Sequence, residues 1–246
     1  MTAVVSPTWL ELREPADAAA RSAELAETLA RRLPAGRLVI HDLGGGSGAM
    51  GRWLSPRLPT PQHWVVHDRD ERLLELAAVE FETRRSDITR LTRDDLAGAS
   101  LVTASALLDL LTRDELDRTL RACAGLPMLL ALTVVGRVSL TPAEPLDARI
   151  GAAFNGHQRR DGKLGPDAVA ATVDALGGEV LVRPSPWRLD AGHADLTAAW
   201  LRGWVGAACE QEPNLAAGGY LERRLAQTAA GELCVTVDHA DLLVLP

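Results

Sequence analysis

Residues 37–49 constrain this chain more than any other stretch. Arg37-Leu38-Val39-Ile40-His41-Asp42-Leu43 is a short apolar, partly β-branched run, and Gly44-Gly45-Gly46-Ser47-Gly48 follows it directly. Ala49 to Leu58 then reads as a helix. A strand that enters a helix through a glycine loop opens a nucleotide-binding βαβ unit, because glycine lets the backbone turn sharply and come close to a ligand. The loop fits two patterns. Gly44, Gly46 and Gly48 satisfy G-x-G-x-G, whereas Gly46 to Gly51 satisfies the dinucleotide pattern G-x-G-x-x-G.

The rest of the chain alternates in the same sense. Ahead of the loop, Ala18, Ala19, Leu25, Leu29 and Leu33 predict one helix over Pro15 to Leu33, with Pro15 in its first turn and Asp17 paired to Arg21. Behind it, strands are expected at His63–His67, Phe81–Arg85, Leu101–Ala104, Met128–Val135 and Glu179–Arg183. Helices are expected at Glu71–Glu80, from the capping box Thr112-x-x-Glu115 to Ala124, at Leu146–Gln158, and at Pro166–Leu176, the last stopped by Gly177-Gly178. Two more helices, Ala194–Cys209 and Asn214–Ala229, precede strand-like Leu233–Val237 and Asp241–Leu245. Such alternation gives a doubly wound α/β fold, a mostly parallel sheet with right-handed crossovers. At 246 residues and 47% hydrophobic content, one domain spanning 1–246 is expected, with the long segments 136–165 and 185–230 as helical insertions over the strand C-terminal ends.

A net charge of −7 offers no basic field for a phosphate backbone, so nucleic acid is not an expected partner. Cys123, Cys209 and Cys234 are odd in number and form no Cys-x-x-Cys pair, which argues against a disulfide framework and a structural metal. No stretch reaches the ~18 apolar residues of a membrane span, and the first residues lack the apolar centre of a signal peptide. The expected location is the cytoplasm.

Three acids mark the strand ends. Asp42 closes the first strand two residues before Gly44; there a carboxylate repels a pyrophosphate yet organises a cationic ammonium, or else caps loop amides. Asp68 closes the second strand one βαβ spacing later, where an acid accepts hydrogen bonds from both ribose hydroxyls, with Asp70 in reserve. Asp87 follows the third strand beside Ile88, pairing an acceptor for an exocyclic amine with an apolar wall for a purine ring. A plain turn aspartate is the alternative.

With these residues the chain resembles the class I S-adenosylmethionine-dependent methyltransferases. Asp42 to Gly48 looks like that family's first motif, acid-x-G-x-G-x-G; Val65-Val66-His67-Asp68 resembles its second and Ser86-Asp87-Ile88 its third. The resemblance implies S-adenosylmethionine as cofactor and a seven-stranded sheet of order 3-2-1-4-5-7-6 with the last strand antiparallel. It also implies that Ser105, with Ala106, borders the cofactor. The chain departs from amino-directed members after the fourth strand, where Thr103-Ala104-Ser105-Ala106-Leu107 replaces the acid/amide-Pro-Pro-aromatic sequence, and it has no Pro-Cys pair of cytosine-modifying relatives. Base methylation is therefore not expected, and a small-molecule acceptor is. Two other readings stay open: a nicotinamide-dependent oxidoreductase, which G-x-G-x-x-G and Asp68 also fit, and a non-catalytic nucleoside-binding protein.

Methyl transfer from a sulfonium is an in-line displacement, so positioning dominates and a base serves only an acceptor that must lose a proton. The long segments 136–165 and 185–230 leave the strand ends and are assigned to acceptor recognition. Candidate catalytic residues are His157, on one helical face with Phe154 and Gln158, and Asp109, just after the fourth strand; a solvated histidine and an exposed helical aspartate are the alternatives. Trp187, Trp200 and Trp204 either wall an acceptor pocket or fill the core. Arg13 and Arg21 are candidate partners for the cofactor's carboxylate, and His41 and His67 are read as packed structural residues.

Overall fold

The computed structural model describes residues 6–177, 179–215 and 217–246, so Gly178 of the expected helix stop lies outside the described residues. At the start of the chain, the single helix predicted over Pro15 to Leu33 is two. Helix α1 spans Pro7–Ala20, capped by Ser6, and α2 spans Ala23–Ala30, capped by Ser22, whose hydroxyl accepts from the Leu25 amide. The chain extends at Arg21 and Ser22 because the Ser22 N–H is drawn out to Asp241 Oδ2, 2.7 Å away. Pro15 therefore sits inside α1, and Asp17 pairs with Arg13, not Arg21.

From there the alternation holds: β1 Leu38–Leu43, α3 Ala49–Leu54, β2 Gln62–Asp68, α4 Glu71–Ala77, β3 Glu82–Arg85, β4 Leu101–Ser105, α5 Arg113–Ala122 and β5 Met128–Thr141. Then come α6 Asp147–Gln158, α7 Ala168–Leu176, β6 Val180–Pro184, β7 Trp187–Leu189, α8 Ala194–Gln211, α9 Gly218–Ala229 and β8 Cys234–Val244. The sheet runs β3-β2-β1-β4-β5-β8-β6, the order expected, with β8 antiparallel to both neighbours. The two terminal segments read as separate strands are one, and the three-residue β7, not foreseen, pairs with the first half of β8.

Alternation along the strands sorts the core. Ile40, Leu101, Leu129 and Leu243 face α2 and α3, with Leu25, Leu29 and Leu54; Leu43, Val102, Leu130 and Leu242 face α5, with Leu116 and Leu120. A third cluster lies past the strand ends. There β5 and β8 continue as a two-stranded arm: β4 pairs with β5 only over Met128–Ala131, whereas β5 and β8 stay paired to Thr141 and Cys234. Helices α6, α8 and α9 pack on this arm through Ile150, Trp200, Trp204 and Tyr220.

The arm leaves the sheet at a bulge. Leu132 takes φ +54°, costly for a side-chain-bearing residue, and its N–H donates to Asp241 Oδ1 at 2.7 Å. Asp241 thus fixes two distant backbone departures at once, the bulge and the α1–α2 break. Its removal leaves the buried Leu132 N–H and the part-buried Ser22 N–H unpaired. Asp241→Ala is expected to lower unfolding free energy by about 2–4 kcal/mol, measured by urea denaturation; a loss under about 1 kcal/mol would show that water replaces both bonds.

Candidate functional site

Asp42 sits at the C-terminal end of β1, fully buried. Thr103, its neighbour on β4, donates to Oδ1 at 2.7 Å, while Oδ2 is sealed from solvent and has no partner. Burial pushes this carboxyl up to about 7, against the Thr103 hydrogen bond and the charge of Arg21. Directly above lies the loop: a Cβ at Gly45 would collide with the Asp42 carboxylate and come within 2.9 Å of Val66. Glycine is required there by space alone. Gly44, Gly46 and Gly48 are required by conformation, each having positive φ.

Asp68 is half-buried at the end of β2 and supports the loop from the side, its Oδ2 accepting from the Gly46 amide at 3.0 Å and its Oδ1 from Asp70 at 2.9 Å. Asp87 is exposed and caps its own turn, accepting from the Thr89 amide and hydroxyl, which holds its carboxyl below the usual range. Ile88 packs with Leu43, Leu96 and Leu108, so it belongs to the same strand-end surface. His41 and His67 are buried and stacked, Nδ1 to Nε2 at 2.9 Å, and His67 reaches Ser86 at 3.0 Å. Burial and the neighbouring ring push His67 down to about 4, so the pair is neutral at pH 7.

Across the strand ends runs α1. Leu10 lies over Gly46, within 3.5 Å of where its Cβ would be, and Glu14 grips Arg52 of α3 with two 2.7 Å bonds while Arg52 also holds the Ser47 carbonyl. After α1 the chain drops Arg21 into the interior. Its Nη2 donates to Ser105 Oγ at 3.1 Å and its Cζ lies 5.6 Å from the Trp53 ring, yet Nε and Nη1 are buried without partners. Burial lowers its pKa, while Asp17, Asp42 and Asp241 raise it. Arg21 and Asp42 therefore share a field without forming an ion pair.

Asp109 is not an exposed helical residue. It lies in a 3-10 turn at Leu108–Leu110, buried, with Oδ1 unpartnered; burial pushes it up to about 6, against Arg13 and Lys163. His157 has moved the other way. It sits on the outer seam of α6 and α8, Nε2 3.0 Å from Glu210, with no hydrogen bond to the loop or the strand ends. Phe154 packs into the third core cluster and Asn155 donates to the Gly136 carbonyl, so this helix face braces the arm. Trp200 and Trp204 stack at 4.9 Å inside that cluster, and Trp187 bonds Asp17 through Nε1 at 2.9 Å. Arg13 stays beside the strand ends, bound to Asp17.

Residue reasoning passed over His239 and Asp241, both buried polar groups on β8. In the sequence they stand with Asp238 as three Asp or His residues in a largely apolar stretch from Leu233 to Leu245, which marks their positions and not their role. A broad surface groove lined by Arg113, Asp117, Cys123, Asp174 and Pro246 lies at the opposite end of the sheet, near the start of β5. It gathers no unpartnered buried polar atoms, so the strand ends are the better site. Among the described residues, no three His, Cys, Asp or Glu side chains gather as a metal site requires.

A scan against protein-family models finds no match, and neither does a search of curated proteins. Solved structures do match. The chain is similar to a proposed type II methyltransferase from Anaeromyxobacter dehalogenans at 17% identity and TM-score 0.55, over 92% of this chain and 97% of that one. It is similar to a proposed methyltransferase from an antibiotic biosynthesis pathway of Anabaena variabilis at 10% identity and TM-score 0.51, over 94% and 100%. At these identities the likeness carries the fold alone, and with the strand order and its antiparallel β8 it establishes that the chain has the class I methyltransferase fold.

Proposed function

We propose that the protein is an S-adenosylmethionine-dependent methyltransferase acting on a small-molecule acceptor by in-line displacement. One observation carries the reading: a buried carboxylate and a buried guanidinium, Asp42 and Arg21, each hold unpartnered polar atoms at the strand ends without bonding one another. An α-amino acid brings one ammonium and one carboxylate, which complement that pair; a pyrophosphate would meet Asp42 with like charge. The residues fit the cofactor on this ground.

In this reading Asp42 faces the ammonium, and Arg21 with Ser105 faces the carboxylate. Gly44, Gly46 and Gly48 let the backbone come close. Asp68 has spent two of about four acceptor sites on loop amides and keeps the rest for ribose hydroxyls. Asp87 and Ile88 border the base. When bound, the cofactor supplies an electrophilic methyl group on a sulfonium. The chain's share is placement and exclusion of water, which α1 provides from above the loop. Asp109, buried, raised to about 6 and so mostly ionised at neutral pH, is the better placed of the two catalytic candidates, since His157 is engaged by Glu210. A small acceptor is supported by the acidic net charge, and we read the location as cytoplasmic, as three free cysteines favour. No described helix is long and apolar enough to cross a membrane.

Two measurements test the reading. In calorimetry the protein is expected to bind S-adenosylhomocysteine and not NAD, and Arg21→Ala to weaken that binding about 10–100-fold; a protein that binds NAD and ignores S-adenosylhomocysteine refutes the proposal. The second uses pH. With its folded value raised to about 7 from 3.8, protonated Asp42 contributes stability that is present in acid and lost as pH rises through 7. Asp42→Asn removes that loss, so its stability relative to the parent is expected to grow by about 2–4 kcal/mol from pH 4 to pH 8. A difference that stays flat across this range would mean that Asp42 does not titrate there.

A further inference from the structure

The roof helix has a second working face. Trp9, Arg13 and Asp17 follow one another at four-residue spacing, so they line one side of α1, adjacent to the side that carries Leu10 and Glu14 over the loop. Arg13 bonds Asp17 through Nε and Nη2 at 2.9 and 3.2 Å, and its Cζ lies 5.9 Å from the Trp9 ring centroid and 5.1 Å from that of Trp187. The two indoles are 6.2 Å apart, and Trp187 meets His239 of β8 at 5.3 Å. His239 is 6% exposed, and its Nδ1 is sealed without a partner; the carbonyls of Val237 and Ser185 approach the ring outside hydrogen-bonding geometry. From the turn after β4, Asp109 sees the same guanidinium, with its own Oδ1 unpartnered.

We propose that this aromatic and cationic face of α1, β7 and β8 receives the methyl acceptor, a planar aromatic molecule bearing a hydroxyl, with the ring against Trp9 and Trp187, the hydroxyl on His239 and its oxygen toward Arg13. The inference rests on the methyltransferase reading and supplies its substrate class. Indole and guanidinium faces stack planar rings. An unpartnered imidazole beside a fixed cation suits a donor whose conjugate anion that cation stabilises, and it disfavours an amine, whose methylated product is itself cationic. The acceptor O–H bond breaks, its electron pair stays on oxygen, and the proton goes to the imidazole, later to water. Burial and then Arg13 hold His239 down to about 4, so the ring is neutral at pH 7 and takes the acceptor's hydrogen bond as a weak base that passes the proton on to water. The charged groups around it are Arg13 and its partner Asp17 on α1, Asp238 beside it on β8, and Asp109 across Arg13.

The test is binding of 4-nitrophenol to the full chain saturated with S-adenosylhomocysteine, read by phenolate absorbance. Bound probe is expected to ionise about one pH unit lower than free probe and to bind about tenfold tighter than benzylamine. His239→Gln is expected to weaken binding about tenfold, and Arg13→Gln to abolish the ionisation shift while Arg13→Lys retains part of it; S-adenosylhomocysteine affinity stays within about twofold in all three. Where a variant loses S-adenosylhomocysteine and so has not folded, the parent protein's ionisation shift and its preference over benzylamine decide. Absence of that shift, preference for benzylamine, or folded variants that behave as the parent overturns this inference alone. Failure of the parent to bind S-adenosylhomocysteine overturns the methyltransferase reading beneath it.

Discussion

A carboxylate held dry beneath a glycine loop is the constraint on which this structure turns. Burying an ionised acid costs several kcal/mol unless it is fully bonded, and Asp42 has one protein hydrogen bond, from Thr103. Nothing in packing asks for that arrangement: an apolar residue would suit β1, which also buries Leu38, Ile40 and Leu43. The surroundings instead accommodate the acid. Gly45 gives up its side chain to leave room, and Arg21 is drawn inside within range of its charge. A fold that keeps such unfavourable groups together is storing interaction for something else to complete.

The second dependence is on α1. One helix lies on the loop through Leu10 and is pinned to α3 by Glu14 and Arg52, while its next face meets β7 and β8 through Arg13, Asp17 and Trp187. The proposed cofactor side and the proposed acceptor side thus have a common roof, and both are set by where α1 ends. That end is decided by Asp241, which ties Ser22 to the bulge at Leu132. A change on β8 therefore reaches both halves of the site through the backbone.

Local chemistry made the sheet legible and long-range chemistry hid the rest. The strand, loop and helix at residues 37–49 announce themselves through apolar runs and glycines, and the Thr112–Glu115 capping box forms with both of its reciprocal bonds. By contrast, the split of α1 from α2 depends on an acceptor 219 residues away, and β7 is a three-residue strand set off by prolines, too short for any period to show. Asp42, Asp68 and the glycines converge because each ends a strand of one parallel sheet, which register alone dictates. His157 misleads for the opposite reason: helical spacing tells which residues share a face, and not whether that face meets the crevice or a neighbouring helix. His239 stands out in the sequence only as an ionisable residue in a largely apolar strand, which looks the same whether the ring packs or binds a ligand.

The shifts of the buried groups around the strand ends share one direction. Asp42 and Asp109 are pushed up while His67 and His239 are pushed down, so each group is moved toward its neutral form, with burial as the leading cause every time. Such an interior has a low effective dielectric, in which isolated charges are costly and opposite charges attract strongly. Reactions that separate charge are slowed there; reactions in which an anion and a cation meet and both charges vanish are favoured. An oxyanion attacking a sulfonium methyl is of the second kind. The same dryness that makes Asp42 and His239 costly to the folded state is what the proposed chemistry requires of its surroundings, and the cost and the function thus have one physical origin.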